Sequence, residues 1–177
     1  MVVKVMTVEK TKPRVILVGP PGAGKSTIGR LLAREFGVSF RDTDTDVEAV
    51  AGKPVSDIFI DDGEERFREL EAAAVRVALA EHDGVLSLGG GAVLRDDTQE
   101  LLAGHRVVYL DVDLSEAVKR VGLATARPLL VLNPRSQFRK LMEERRPIYH
   151  RVATLVVATS GREPGDIVAE IVKAVGA

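Results

Sequence analysis

The sequence has 177 residues, of which 45% are hydrophobic and 29% are charged, and it carries a net charge of −1. This length suits one domain with a substantial core, and the balanced charge gives no reason to expect a nucleic-acid or membrane surface. Because the chain contains no cysteine, disulfides and thiolate metal sites are excluded.

The first strong pattern is a strand, a glycine-rich loop and a helix in succession. Residues 1–12 alternate only loosely between apolar and polar types and are predicted to be a flexible extension, whereas the apolar run 15–18 predicts a buried strand. Residues 19–27 read Gly-Pro-Pro-Gly-Ala-Gly-Lys-Ser-Thr, which is a phosphate-binding P-loop. Apolar residues then recur at helical spacing after Lys25.

The chemistry of a P-loop explains these residue types. Its glycines bring successive N–H groups close to phosphate oxygens, Lys25 supplies positive charge for the β- and γ-phosphates, and the Ser26 hydroxyl can ligate Mg²⁺. A helix that begins at Lys25 points its positive end at the anion. The sequence therefore predicts a nucleoside triphosphate site with Mg²⁺, formed by Gly22, Ala23, Gly24, Lys25, Ser26 and Thr27.

Downstream, short apolar runs alternate with helical patterns. Further strands are predicted at residues 38–41, 85–88, 107–112 and 155–158. Further helices are predicted at 47–50, 64–81, 97–103, 115–121, 136–147 and 164–175. This alternation is typical of a three-layer α/β fold, in which helices cover both faces of a parallel sheet and ligands bind at the carboxyl ends of the strands.

Acidic residues and glycines follow two of the predicted strands. Asp42 and Asp44 project to similar sides if the chain stays extended, so one can serve the Mg²⁺ shell and the other a substrate hydroxyl; the alternative is a solvated acidic turn. Gly89, Gly90 and Gly91 end another strand, where they allow close approach of the backbone to a ligand or form a tight turn.

Three arginines are further candidates. Arg68 lies early in a long predicted helix, and on this pattern alone a surface or salt-bridged role is favoured. Arg127 lies in a long irregular segment, 122–135, and either closes a lid over the triphosphate or forms a loop salt bridge. Arg145, next to Arg146 near a predicted helix C-terminus, either complements the helix dipole or clamps a carboxylate.

Taken together, these motifs resemble the shikimate kinase family over residues 14–175. The resemblance rests on the order and spacing of the P-loop, Asp42-Thr43-Asp44, Asp57-Ile58-Phe59, Gly63-Glu64, Phe67-Arg68, Leu88-Gly89-Gly90-Gly91-Ala92, Arg127-Pro128-Leu129 and Arg145-x-Pro147-x-Tyr149. It implies a five-stranded parallel sheet of order 2-3-1-4-5. It also implies a single P-loop kinase domain (1–177) with a substrate-binding segment (43–71) and a mobile lid (122–134).

The resemblance also implies an activity, the Mg²⁺-dependent transfer of the ATP γ-phosphoryl group to the 3-hydroxyl of shikimate, in the biosynthesis of chorismate and aromatic amino acids. Lys25 and Arg127 would neutralise the transferred phosphoryl group, and Ser26 would ligate Mg²⁺ with Asp42 supporting it through water. Asp44 would hydrogen-bond the substrate hydroxyls and orient or deprotonate the attacking one.

Further residues are implied at the two ends of the site. Arg68 and Arg145 would bind the shikimate carboxylate, with the glycines at 89–91 nearby. The residues that match positions bordering the adenine are Arg120, Arg162 and Pro164.

Two other functions remain as alternatives: a P-loop kinase of another small hydroxy acid such as gluconate, and a non-catalytic nucleotide-binding module. A guanine-reading Asn-Lys-x-Asp motif is excluded because Asn133 is the only asparagine of the chain. We expect a cytoplasmic protein, because the sequence shows no secretory signal and no apolar run of membrane-spanning length. A monomer is also expected. Shikimate and ATP are the expected partners, without nucleic acid or membrane.

Overall fold

The computed structural model describes residues 12–122 and 134–176, and this part of the chain contains five strands and seven α-helices. The strands are β1 (Val15–Val18), β2 (Phe40–Asp42), β3 (Val85–Ser87), β4 (Val107–Asp111) and β5 (Leu155–Ala158). The helices are α1 (Lys25–Phe36), α2 (Thr43–Ala51), α3 (Val55–Glu81), α4 (Asp96–Leu102), α5 (Leu114–Val121), α6 (Pro134–Val152) and α7 (Pro164–Val175), with a 3₁₀ turn at Ala92–Leu94.

The strands form one parallel sheet in the order β2-β3-β1-β4-β5, which confirms the predicted topology. At its centre, Ile16 of β1 pairs with Leu86 of β3 and with Val107 of β4. Helices lie between consecutive strands of the chain, as a parallel arrangement requires. The carboxyl ends of β2, β3 and β1 therefore lie side by side at one edge of the sheet.

Both faces of the sheet are covered, as the continuous apolar strands predict. Val15 and Leu17 point into a core shared with α1, α5, α6 and α7, whereas Ile16 and Val18 point into a second core against α3 and the 3₁₀ turn. All four β1 residues are at most 1% exposed. The strand that carries the P-loop is thus fully buried in the core.

Helix α2 begins at Thr43, four residues earlier than the sequence pattern predicts. The reason is a cap: the Asp42 carboxylate accepts a hydrogen bond from the Asp44 backbone N–H at 2.9 Å. The assumption that the chain stays extended from Asp42 to Asp44 is therefore wrong, and Asp44 lies in the first turn of a helix.

Two other helices also differ from the predicted bounds. Helix α3 starts at Val55 and is interrupted only at Gly63, whose φ of 87° and ψ of 166° are not helical. Helix α6 continues through Pro147 to Val152, although the sequence predicts an end at the proline. Tertiary packing outweighs the missing N–H there, because α6 buries a stripe at helical spacing: Phe138, Met142, Arg145 and Tyr149.

Candidate active site

Three loops meet at the carboxyl ends of β2, β3 and β1 and enclose a crevice of about 420 Å³. The P-loop follows β1, the glycines at 89–91 follow β3, and the acidic start of α2 follows β2. The crevice brings together nine of the predicted site residues, namely Gly22, Gly24, Lys25, Ser26, Thr27, Asp42, Asp44, Gly90 and Arg120.

The P-loop has the backbone that phosphate binding needs. Gly22 and Gly24 adopt φ values of 83° and 89°, in the left-handed region that favours glycine, and α1 starts at Lys25. The Lys25 ammonium donates hydrogen bonds to the carbonyl oxygens of Gly19 at 2.7 Å and Pro20 at 3.1 Å. The loop thereby keeps a positive charge at the mouth of an amide-rich helix N-terminus, an arrangement that attracts anions.

Asp42 connects the P-loop to the acidic segment. Its carboxylate accepts a hydrogen bond from the Ser26 hydroxyl at 3.3 Å with one oxygen and from the Asp44 N–H at 2.9 Å with the other. Burial, followed by repulsion from the Asp44 carboxylate, raises the pKa of Asp42 above its ordinary value. The two acids thus stand close together beside the hydroxyl of the P-loop.

The triple glycine packs directly against polar side chains of the crevice. A Cβ atom placed on Gly89 would lie 2.6 Å from Asp44 Oδ1, and one on Gly90 would lie 3.4 Å from Arg145 Nη1. A Cβ atom on Gly91 would overlap the Arg68 guanidinium. Close approach, rather than turn geometry, therefore explains all three glycines. The Gly89 N–H also donates to the buried Thr43 hydroxyl at 3.1 Å.

Arg68 is nearly buried and salt-bridged, so of the surface or salt-bridged role that its helical pattern favours, the structure shows the salt bridges but not the solvated surface position. Its side chain is 13% exposed and forms ion pairs with Glu71 at 2.8 Å and with Glu64 at 3.6 Å. Sequence reasoning missed Glu71, which is 2% exposed. The only available signal was its i+3 position relative to Arg68 on a helix, and that spacing is common on solvated helices.

Arg145 and its neighbour Arg146 face different surroundings. Arg145 is 6% exposed, and its Nη1 atom would lie 3.4 Å from a Cβ atom placed on Gly90. Arg146 is half-exposed and approaches the Asp111 carboxylate at 4.0 Å. The structure therefore places Arg145, and not Arg146, beside the triple glycine, which Arg68 also approaches.

A smaller cavity of about 190 Å³ adjoins the crevice and contains the residues predicted to border an adenine. Arg120, Arg162 and Pro164 line it, together with Ala23 and Thr27 of the P-loop region. Arg120 lines both cavities and donates to the Gly22 carbonyl at 3.1 Å. The remaining predicted residue, Arg127, lies outside the described residues, as do 123–133 of the predicted lid and 1–11 of the predicted extension.

Comparisons with known proteins agree with this geometry. The family model described as shikimate kinase matches residues 21–176. A shikimate kinase from Streptomyces avermitilis is 57% identical over 164 residues, which cover 93% of this chain and 96% of the relative.

Solved structures give the same result. The shikimate kinase from Acinetobacter baumannii in complex with shikimate superposes with a TM-score of 0.88 at 34% identity, and covers 94% of both chains. A gluconokinase from Sinorhizobium meliloti superposes with a TM-score of 0.53 at 19% identity, over 94% of this chain and 91% of the other, and shares the fold alone. The chain therefore belongs to the shikimate kinase family.

Proposed function

We propose that this chain transfers the γ-phosphoryl group of ATP to the 3-hydroxyl of shikimate, and that the residues gathered in the crevice do this work. The observation that supports the assignment is the position of the triple glycine. It lies between the P-loop on one side and Asp44, Arg68 and Arg145 on the other. A site that holds a triphosphate thus adjoins one that offers two arginines and a carboxylate to a small polar acid.

On the phosphate side, Lys25 exchanges its contacts with the loop carbonyls for the β- and γ-phosphate oxygens. The N–H groups of residues 22–27 complete the cradle at the start of α1. Because phosphoryl transfer passes through a loose transition state, the contribution of these groups is positioning and charge stabilisation rather than covalent chemistry. Arg127 is proposed to add a second cation to the same phosphates.

The residues present fit a magnesium ion. Ser26 Oγ and the Asp42 carboxylate lie 3.3 Å apart at the crevice wall, and both are the hard oxygen ligands that Mg²⁺ prefers. Among the described residues no group of three or more acidic or histidine side chains forms a cage, which suits an ion that keeps waters and phosphates as its other ligands. When bound, Mg²⁺ neutralises charge that develops on the β- and γ-phosphate oxygens.

On the substrate side, Arg68 and Arg145 bind the shikimate carboxylate beside the backbone of the triple glycine. Asp44 accepts a hydrogen bond from the 3-hydroxyl and orients its oxygen toward the γ-phosphorus. The new oxygen–phosphorus bond forms as the bond to the β,γ-bridging oxygen breaks, and ADP leaves. Asp44 can orient the hydroxyl whether the hydroxyl proton passes to its carboxylate or to a phosphoryl oxygen of the product.

The nucleotide base is proposed to occupy the smaller cavity, between the Arg120 and Arg162 side chains and next to Pro164. Arg162 is held by the Ala158 carbonyl at 2.8 Å and by Glu170 at 2.7 Å. A planar guanidinium fixed in this way can stack on a base face.

We further infer that residues 1–177 act as one P-loop kinase domain and as a monomer in the cytoplasm, where ATP is abundant. In this proposal, segment 43–71 binds the substrate and segment 122–134 forms the lid. The absence of cysteine suits a reducing compartment. Within the described part of the chain, no helix combines the length and apolar character needed to cross a bilayer.

The direct test is ADP production from ATP and Mg²⁺, alone, with shikimate and with gluconate. Strong stimulation by shikimate only would support the proposal, and product analysis would then locate the phosphate on the 3-hydroxyl. Stimulation by gluconate instead would assign the crevice to another hydroxy acid. Nucleotide binding without turnover on either acid would favour a non-catalytic nucleotide-binding module.

A further inference from the structure

Tyr149 is the one tyrosine in the described part of the chain that contacts the triple glycine. Its hydroxyl donates a hydrogen bond to the Gly90 carbonyl oxygen at 2.6 Å, and the residue is 1% exposed. Its ring stacks on the Tyr109 ring, with centroids 5.0 Å apart. Tyr149 follows Arg145 by one helical turn, so one face of α6 delivers both side chains to the same loop.

A run of three glycines needs such a contact. Glycine populates more backbone conformations than any other residue, so the peptide between Gly90 and Gly91 can rotate with little intrinsic resistance. Because a peptide unit is planar and trans, the direction of the Gly90 carbonyl fixes the opposite direction of the Gly91 N–H. A hydrogen bond on the carbonyl therefore determines which polar group this peptide presents on each side.

The electrostatic consequence concerns the substrate carboxylate. Gly90 and Gly91 lie against Arg145 and Arg68, the two arginines proposed to bind that group. A carbonyl oxygen turned toward a bound carboxylate would repel it, whereas the hydrogen bond holds this oxygen against the Tyr149 hydroxyl.

We propose that Tyr149 is a positioning residue for substrate binding, which holds the Gly90–Gly91 peptide in the orientation that accepts a carboxylate between Arg68 and Arg145. The inference rests on the proposed function, since it concerns the substrate side of the same site. It assigns Tyr149 no contact with substrate and no role with the nucleotide.

The test compares Tyr149→Phe with Tyr109→Phe. Both changes keep an aromatic ring in the stacked pair and remove one hydroxyl, but the Tyr109 hydroxyl donates to Asp111 at 3.0 Å and does not contact the loop. We expect Tyr149→Phe to raise the KM for shikimate about tenfold, the scale of one lost hydrogen bond, and to leave the KM for ATP within about twofold. Tyr109→Phe should change neither KM, and urea midpoints show whether both variants are folded.

The outcomes distinguish failure of this inference from failure of the proposed function. Equal KM values for shikimate in the two variants would overturn this inference alone. A wild-type chain that lacks shikimate-dependent turnover would overturn the proposed function and this inference with it.

A second measurement does not depend on how well Tyr149→Phe folds. The chain has two tyrosines, so 3-fluorotyrosine incorporated into Tyr109→Phe labels Tyr149 alone. Saturating shikimate should shift its ¹⁹F resonance, and ATP alone should shift it much less. An unchanged resonance with shikimate would overturn the inference.

Discussion

The Arg68 guanidinium and the Glu71 carboxylate form an ion pair of 2.8 Å within a single turn of α3, and Glu71 is almost fully buried. A Cβ atom on Gly89 would lie 2.9 Å from Glu71 Oε2, so the pair abuts the triple glycine. Glu64 reaches the same guanidinium at 3.6 Å from the solvent side. The buried Glu71 carboxylate therefore fixes the position of the Arg68 guanidinium from the core side.

Glu71→Ala should destabilise the protein and weaken substrate binding together. Removing one partner of a buried pair leaves an uncompensated charge, and we expect a loss of about 3 kcal/mol in the free energy of unfolding. Glu64→Ala removes an exposed partner of the same arginine and should cost less than about 1 kcal/mol. Urea denaturation of the two variants, with KM values for shikimate, checks this. Similar losses in both would contradict the dominant role of Glu71.

Asp44→Asn and Arg145→Ala should fail in different ways. Asp44→Asn removes the charge proposed to lie beside the attacking hydroxyl, so we expect kcat to fall by about 10² or more with little change in KM. Arg145→Ala removes a side chain proposed to bind the shikimate carboxylate and should raise the KM for shikimate at least about tenfold. Arg146→Ala is the matched control, since that side chain faces Asp111, and its steady-state constants should stay near those of wild type. Equal, small effects at Asp44 and Arg145 would remove both from the site.

Gly89→Ala should inactivate the enzyme, whereas Gly165→Ala should leave turnover unchanged. The new methyl group would press on the Asp44 carboxylate at 2.6 Å. Gly165→Ala introduces the same methyl group into α7, where nothing lies within 4 Å, and helix propensity favours that change by up to about 1 kcal/mol. Turnover rates and thermal melting temperatures of the two variants test this prediction. Normal turnover in Gly89→Ala would show that the loop tolerates a side chain.

Glu116→Gln should affect the nucleotide and not shikimate. The Glu116 carboxylate accepts from Arg120 at 2.7 Å and from the Gly161 N–H at 3.0 Å, so it joins two segments that line the smaller cavity. We expect the KM for ATP to rise about threefold to tenfold, with the KM for shikimate unchanged. Glu144→Gln, which removes an exposed charge on α6, serves as the control. A rise in both KM values would indicate a general loss of structure.

Asp97→Asn should reduce stability in a pH-dependent manner. Two hydrogen bonds from Arg95 lower the pKa of Asp97 to about 2, below its ordinary value of 3.8. A lowered pKa stabilises the folded state fully above the ordinary value and progressively less as pH falls toward the folded one. The difference between wild type and variant in urea midpoint should thus be larger at pH 7 than at pH 3. A difference that does not depend on pH would exclude this charge as its source.

Much of this molecule follows from local sequence. The positions of the strands, the start of α1 at Lys25 and its end at Phe36 depend on apolar runs and glycines, which act over a few residues. The strand order, in contrast, was implied only by the family resemblance. The start of α2 was predicted too late because the capping role of Asp42 depends on one hydrogen bond, and acidic turns are common without it. The continuation of α6 through Pro147 depends on packing against distant strands, which no local rule contains.

The contacts behind the triple glycine were the least predictable part of the site. Glu71 and Tyr149 are inferred to act through other residues, so residue type gave neither a role, although Tyr149 lies in the motif Arg145-x-Pro147-x-Tyr149. Their roles depend on long-range proximity, with Tyr149 and Gly90 separated by 59 positions in the chain. Contact with a ligand restricts which residue types can occupy a position, and such positions form recognisable motifs. A residue that only supports a ligand-binding side chain can come from many places in the chain.

The neighbouring positions of β2, β3 and β1 also set the distance between the P-loop and the acidic segment. Adjacent strands lie about 4.8 Å apart, so the acidic segment and the P-loop emerge roughly 10 Å from each other with the triple glycine halfway between. That span is fixed by backbone hydrogen bonds of the sheet and not by any side chain. The sheet thus sets the spacing between the loops proposed to hold the phosphoryl donor and its acceptor.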